Sequence, residues 1–458
     1  MPEFRRGASA PAPPTPPALA QEPPSTLSTN DLHYLADLQA RTFDYFCRYA
    51  HPDTGLVADK TSEGAPASIA ATGLGLACLA VGVERGLITR AEAIARARRT
   101  LRFFHESEQS ERPRATGYRG FYYHFLDMES GRRFRHCELS TIDTALLLVG
   151  ALAAYVYFDG HDEAERDVRA LASALYRRAE WDWAFDGGPA VRHAWKPETG
   201  FLKARWYGYN EAILLYLLAL GAPSHPIPPR SYEAWTSTYR WRRVYGVEHL
   251  YAGPLFIHQL PHCWVDFRGL YDAYMRERGI DYFENSRRAV LVQRAYATRN
   301  PRGLKGYGPD AWGITASDGP GRYVRVVDGQ RRRFYGYHAR GAPWGPDDGT
   351  LSPWAVAAAV PFAPELVLRA LRHFDATYPE ITNAFGYVCS FNPTFPTEDP
   401  HGWRSHGHFG IDQGPVVLMI ENYRSELVWK LMKRCPFLVA GLRRAGFSGG
   451  WLDANGQA

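Results

Sequence analysis

From residue 30 onward, apolar side chains recur every three to four positions in one segment after another, the spacing of helices that bury one face. The pattern predicts helices over 31–49, 68–85, 90–107, 140–158, 162–180, 209–220, 255–278, 281–299, 352–360, 363–377 and 413–445, the last broken near Pro436. Cap residues support several of these starts. Asn30–Asp31, Thr89, Ser140 and Asp281 stand where an N-cap side chain accepts from the first free backbone N–H groups. Ser140 to Asp143 has capping-box spacing, with Asp in place of the usual Glu. Alternation of period two is scarce; "GRYVRVVDGQRRRFYGY" (321–337) is the best hairpin candidate. Long links dense in Gly, Trp and His (110–137, 181–208, 301–351, 378–412) alternate with short turns. About a dozen helices with long loops at one set of ends predict an all-α fold, an (α/α)6 toroid whose loops build a cleft.

Composition narrows the class. Hydrophobic residues make up 45% of the 458, enough for a large core. No uninterrupted apolar run reaches the roughly 18 residues of a membrane span. The net charge of +5 is spread along the chain. Most Arg fall on helix patterns such as "RAEAIARARRTLRFF", which reads as solvated faces and not as a nucleic-acid stripe. Cys47, Cys78, Cys137, Cys263, Cys389 and Cys435 form no C-x-x-C motif and read as free, buried thiols. Residues 1–30 are rich in Pro and Ala and read as a disordered segment. Its "RR" and "ALAQ" have the form of an export-signal remnant, but Pro breaks the stretch between them and no apolar centre is present. Residues 31–446 read as one domain and 447–458 as a tail. Aromatics are 14% of the chain. Many lie in Gly-rich or polar stretches such as "RWYGYN" and "HGWRSHGHFG", where a core does not need them but a sugar-binding cleft does.

The stretch "HCELSTIDTALLLVGALAAYVYF" (136–158) sets two acids, Glu138 and Asp143, at the mouth of an apolar helix. Asp143 falls in the first turn and suits capping as well as catalysis. Glu138 stands outside the cap and has no evident capping duty. Arg133, Arg135 and His136 flank it, and cations there would hold it ionised, as a base or nucleophile must be. "ARWYGYNEAILLYLLALG" (204–221) repeats the arrangement with Tyr209, Asn210 and Glu211. Two such carboxyls are what glycoside hydrolysis requires: one protonates the leaving oxygen, the other activates water or attacks the sugar. His124 and Asp127 lie upstream in an aromatic stretch. His258 and His262 have zinc-like spacing near Asp266, but Pro261 interrupts the turn and the H-E-x-x-H glutamate is missing, so no metal is expected. Trp312, Asp318, Asp347, Asp348, Asp412, Gln413 and Arg424 occur at Gly-rich entries to apolar helices and are further cleft candidates, with turn and cap roles equally open.

The blocks "ELSTIDTALLLVGAL", "GYNEAILLYLLALG", "FIHQLPHCWVDFRG", "DYFENSRRAVLVQRAYA", "WGITASDGPG", "DDGTLSPWAVAAAVPFAPE" and "IDQGPVVLMIENYRSELVW" follow one another in the chain. Together they resemble the bacterial glucoamylase-like domain, whose characterised branch is glycoside hydrolase family 144, the endo-β-1,2-glucanases. A similar domain performs transglycosylation in cyclic β-1,2-glucan synthases. The resemblance implies an (α/α)6 barrel that acts on linear β-1,2-glucan without a metal or other cofactor, and export to the periplasm. It places the general acid on Glu211. Glu138 becomes the nucleophile or the group that assists water, with Asp143 and Asp412 as alternatives for the base. His124, Asp127, Tyr209, Asn210, His262, Asp266, Trp312, Asp318, Asp347, Asp348, Gln413 and Arg424 are the expected substrate contacts. Internal cleavage to sophoro-oligosaccharides is the leading expectation; exo action, transglycosylation and non-catalytic glycan binding remain open. The protein is expected to be a monomer with no nucleic-acid partner and no membrane insertion.

Overall fold

The computed structural model describes residues 27–454. Its helices are α1 (Thr29–Arg48), α2 (Ile69–Glu84), α3 (Arg90–Glu106), α4 (Thr141–Tyr157), α5 (Glu163–Arg178), α6 (Trp181–Phe185), α7 (Ile213–Gly221), α8 (Arg230–Thr236), α9 (Ala273–Arg278), α10 (Tyr282–Arg299), α11 (Pro353–Ala357), α12 (Pro364–Thr377), α13 (Gly410–Ser425), α14 (Leu427–Met432), α15 (Pro436–Arg444) and α16 (Gly450–Ala454). Helices α2, α4, α7 and α13 are buried on nearly every face, the signature of helices enclosed by others. Helices α1, α3, α5, α12 and α15 bury only one stripe. They pack around the enclosed set, α1 on α13, α5 on α4 and α15 on α7. At the crossing of α2 and α4 a Cβ on Gly150 would lie 1.9 Å from the Gly73 carbonyl oxygen. Only glycine lets these two backbones touch, and that contact brings α4 deep into the core.

The expectation of an all-α toroid is corrected: the fold is mixed, 46% helical and 14% strand. The strands are β1 (Ala67–Ser68), β2 (Gly117–Tyr118), β3 (Phe121–Tyr123), β4 (Phe125–Leu126), β5 (Leu139–Ser140), β6 (Ala194–Lys196), β7 (Gly200–Phe201), β8 (Trp241–Val244), β9 (Val247–Leu250), β10 (Ala316–Ser317), β11 (Tyr323–Val327), β12 (Gln330–Phe334) and β13 (His338–Ala339), with four further two-residue strands between 382 and 404. Five of them form an antiparallel sheet in the order β2-β3-β5-β6-β7. The long links are therefore paired structure. Strands of two or three residues are too short to show an alternating pattern, which is why the sequence reads them as loops.

Other departures have local causes. The predicted helix 255–278 is two 3-10 turns, Leu255–His258 and Leu260–Cys263, followed by α9; Pro254 and Pro261 withhold the N–H donors that a continuous helix needs. The helix expected from 209 begins at Ile213. The last long helix breaks at Glu426, which adopts a left-handed φ of 60°, and again before Pro436. The first N-cap is Ser28, with Asp31 as its capping-box partner, whereas Thr89, Ser140 and Asp281 cap as expected. The predicted hairpin is β11–β12. Residues 447–454 are not a loose tail: Phe447 and Leu452 are buried, and the Trp451 indole N–H donates to the Asp266 carbonyl at 2.8 Å. The readings of 1–26 and 455–458 lie outside the described residues. All six cysteines are free, four of them buried. Among the described residues no helix is long and apolar enough to cross a membrane.

Candidate active site

Strand pairing assembles the first part of the site. Tyr123 of β3 faces Leu139 of β5 across the sheet. One step further, the His124 N–H donates to the Glu138 carbonyl at 2.9 Å. This register sets the two side chains together, with His124 Nδ1 2.8 Å from Glu138 Oε1. Strand β5 runs directly into α4, whose N-cap Ser140 accepts from the Asp143 N–H at 3.2 Å. Asp143 does not reach back to the Ser140 backbone as a capping box would. Its Oδ2 accepts from Ser140 Oγ at 2.5 Å and lies 3.7 Å from His124 Nε2. The imidazole thus stands between two carboxylates.

A cavity of about 230 Å³ opens in front of this group. His124, Asp143, Glu211, Phe256, Gln259, Tyr337, Trp354 and Asp412 are among its lining residues, so the entries of α4, α7, α11 and α13 converge on it. Glu211 sits two residues before α7, where the Leu214 N–H donates to its carbonyl at 3.2 Å. Three wall residues carry buried polar atoms without a protein partner: Gln259 Oε1, Trp354 Nε1 and Asp412 Oδ2. Buried polar atoms are normally satisfied. Orphans on residues that share one cavity with aromatic rings suit a ligand rich in hydroxyl groups.

The electrostatics divide the acids. The hydrogen bond from His124 holds the Glu138 carboxyl down at about 2, against the opposing effect of burial. His124 answers in kind. Burial disfavours its cation, but Asp143, Glu138 and Asp59 outweigh that and raise it to about 9. Glu211 goes the other way: burial of its carboxyl, helped by the charge of Asp143, raises it to about 7. Asp412 is also pushed well up by burial, with Asp59 and Asp318 adding to the shift and a hydrogen bond with Cys389 opposing it.

The other expected contacts are scattered. Trp312 is fully buried and belongs to the core, so it offers no ring face to a sugar. His262 is buried with Nε2 3.0 Å from Ser286 Oγ, and buried His258 has Nε2 3.2 Å from the Ala252 carbonyl oxygen. Burial drives both imidazoles down to about 3, so they are neutral core residues. Asp266 is locked by Arg268 at 2.7 Å and Lys433 at 2.6 Å. Asp347 accepts from Tyr296 and Tyr307 at 2.8 and 2.6 Å, and Asp348 is paired with buried Arg340 at 2.7 Å. Asp318 accepts from Ser405 Oγ at 3.2 Å. Asp127 closes a turn by accepting from the Ser130 N–H at 2.9 Å. Asn210 Oδ1 accepts from the Ala212 N–H at 3.1 Å. Tyr209 is buried, its ring stacked near Tyr282. Gln413 bonds His408 at 3.2 Å. Arg424 donates to Gln39 at 2.5 Å, about 18 Å along α13 from Asp412.

The cations expected beside Glu138 are engaged elsewhere. Arg133 pairs with Glu198 at 2.6 Å, and His136 is exposed. His124 and, more weakly, Lys196 act on Glu138 instead. Phe256, Gln259, Tyr337 and Trp354 were not singled out from sequence. The PWA start of α11 and the aromatic end of the hairpin are the signals that bear on two of them.

Among the described residues no group of three or more His, Cys, Asp or Glu side chains is arranged to hold a metal ion. The chain is 27% identical, over 92% of its length, to an exo β-1,2-glucooligosaccharide sophorohydrolase (non-reducing end) of Parabacteroides distasonis, and spans 58% of the length of that curated relative. It superposes on the crystal structure of a glucoamylase-type protein of Bacteroides uniformis with a TM-score of 0.81 and 31% identity, covering 93% of this chain and 100% of that one. The endo-β-1,2-glucanase of Chitinophaga pinensis, solved with sophorotriose and glucose, gives a TM-score of 0.77 at 28% identity over 93% and 100% of the two chains. The model of the Glycoamylase family, described as "Putative glucoamylase", matches residues 203–436, just over half of the chain, and the chain belongs to that family.

Proposed function

We propose that this protein is a glycoside hydrolase that cleaves β-1,2-glucan internally, with Glu211 as the general acid. The observation that carries the reading is the opposite bias on two carboxyls at one site: Glu211 raised to about 7 and Glu138 held at about 2. Environments that push two acids apart in this way assign the acid and base roles of glycoside hydrolysis. Glu211 gives its proton to the leaving glycosidic oxygen as the bond to the anomeric carbon breaks. Water adds at that carbon and loses a proton to a second side chain of the site. Asp143 is the acceptor that lines the cavity, and Glu138 steadies it through His124. Burial keeps Asp412 toward its neutral form, which suits donating a hydrogen bond to a sugar hydroxyl better than serving as the base. The orphaned polar atoms of Gln259, Trp354 and Asp412 supply further hydroxyl contacts. The substrate class is supported by the names of two similar proteins, one acting on β-1,2-glucans from within and one from the non-reducing end. The second of these supports exo release of sophorose as the alternative. We place the protein in the periplasm or outside the cell as a monomer, in line with its family resemblance.

Time-resolved product analysis on linear β-1,2-glucan tests the reading. Internal cleavage gives an early ladder of mixed lengths, and exo action gives sophorose from the first minutes. Products longer than the starting chains would make the protein a transglycosylase. Binding without any products would make it a lectin-like protein and sink the assignment of Glu211.

A further inference from the structure

Trp344 exposes 59% of its surface, unusual for so large an apolar side chain. It is not on a loose loop. The Ala342 N–H donates to the Gly253 carbonyl at 3.1 Å, and the Gly341 N–H to the Pro346 carbonyl at 3.0 Å. A Cβ on Gly341 would lie 2.6 Å from the Gly253 carbonyl carbon, so the two segments press backbone to backbone. The indole meets the Tyr251 ring edge to face, with centroids 4.9 Å apart. The ring thus rests against Tyr251 while more than half of the residue stays open to solvent.

Both strands of chain that carry this loop lead into the catalytic cavity. Gly253 is three residues from Phe256, whose N–H is fixed by Thr315 Oγ1 at 3.0 Å. On the other side Ala339 pairs with Ala316. Phe256, Ala316 and Tyr337 all line the cavity. Chain reach alone puts the indole within roughly 25 Å of that wall, a few sugar units away. Tyr337, 57% exposed, is itself part of that wall. We propose that Trp344 is a stacking platform for a glucose unit of the glucan chain remote from the scissile bond, and so selects for extended substrates. The inference rests on the β-1,2-glucan reading. The C–H faces of a pyranose are apolar and pack on an indole. A ring already fixed by Tyr251 and the glycine contact loses little freedom on binding, which favours affinity.

The test compares KM for long linear β-1,2-glucan with KM for the shortest β-1,2-glucooligosaccharide that the wild type cleaves. In Trp344→Ala the ratio of long-chain to short-chain KM should rise about three- to tenfold, the effect of losing one aromatic contact, with kcat nearly unchanged. Trp344→Phe should restore most of the preference. An unchanged ratio in Trp344→Ala, with the wild type active, overturns the platform and leaves the enzyme reading standing. A wild type that cleaves no β-1,2-glucan removes both. Thermal midpoints should agree, because the ring is exposed; a large drop would make Trp344 a packing residue and also overturn the proposal.

Discussion

Replacing Glu211 by Gln keeps the shape of the side chain and removes one transferable proton. If Glu211 protonates the leaving oxygen, kcat on β-1,2-glucan should fall roughly 10²- to 10⁴-fold, the usual worth of general acid assistance. The same substitution has a second, independent signature in stability. The folded protein raises Glu211 from 4.5 to about 7 because its carboxyl is buried. Between these values the native state binds more protons than the unfolded chain, so stability falls as pH rises. Below pH 4.5 both states are protonated and the shift contributes nothing. Above pH 7 the native state must carry the buried charge, and the gap from 4.5 to 7 corresponds to at most about 3 kcal/mol. Gln carries no charge at any pH. Glu211→Gln should therefore melt near the wild type at pH 4 and several degrees above it at pH 8. The wild-type kcat/KM should also decline as pH rises through about 7, when the acid loses its proton. Calorimetry at the two pH values and initial rates on linear glucan read both effects. Near-normal kcat in the variant, or the same difference in melting temperature at pH 4 and pH 8, would refute the reasoning.

Trp312→Ala should cost about 3–5 kcal/mol of stability, as truncation of a buried aromatic does, while KM of the folded fraction changes little; a normal melting temperature with raised KM would return Trp312 to the cleft. The pair of His124 with Glu138 should stabilise fully only within a window. Glu138, held at about 2, contributes above its usual 4.5 and loses that as pH falls through 2; His124, raised to about 9, contributes below its usual 6.5 and loses that as pH rises through 9. The melting difference between wild type and Glu138→Gln should accordingly be largest between about pH 4.5 and 6.5, and thermal scans showing a flat difference from pH 4 to pH 10 would count against it. Exhaustive chelation should leave the rate on β-1,2-glucan unchanged, because His258 and His262 are neutral core residues and not ligands; loss of activity restored by one specific metal ion would overturn this.

Continuous apolar runs made two of the enclosed helices, α2 and α4, legible. The bounds 68–85 and 140–158 lie within one residue of α2 and α4, and Ser140 for α4 and Thr89 for α3 are caps that short-range chemistry recognises. The position of Glu211 before an apolar helix was also local information. The contact of His124 with Glu138 was not. It depends on the register of β3 against β5, and no strand there is long enough to leave an alternating pattern. Trp312 misled for a related reason. Its Gly-rich surroundings look like a loop, but the Gly313 carbonyl accepts from the Ser352 N–H at 2.9 Å and seals the segment into the core. Asp347 and Asp348 look catalytic until Tyr296, Tyr307 and Arg340, all distant or unremarked in the sequence, are brought against them.

The same long-range assembly decides which acids at the site are charged. Helix N-termini favour anions, and α4, α7, α11 and α13 all begin at the cavity. On that ground alone every carboxyl there would be ionised. Burial raises Asp59 as well as Asp412, with the charge of Asp143 adding to the shift of Asp59 and those of Asp59 and Asp318 to that of Asp412. One well-placed cation breaks the symmetry. His124 bonds Glu138 directly, which holds that carboxyl low, and stands 3.7 Å from Asp143. Glu211 is raised by its burial, with the charge of Asp143 adding to the shift. The opposite bias on the two carboxyls thus has two sources: burial of Glu211, and an imidazole that a strand register sets against Glu138 and that no single motif in the chain announces.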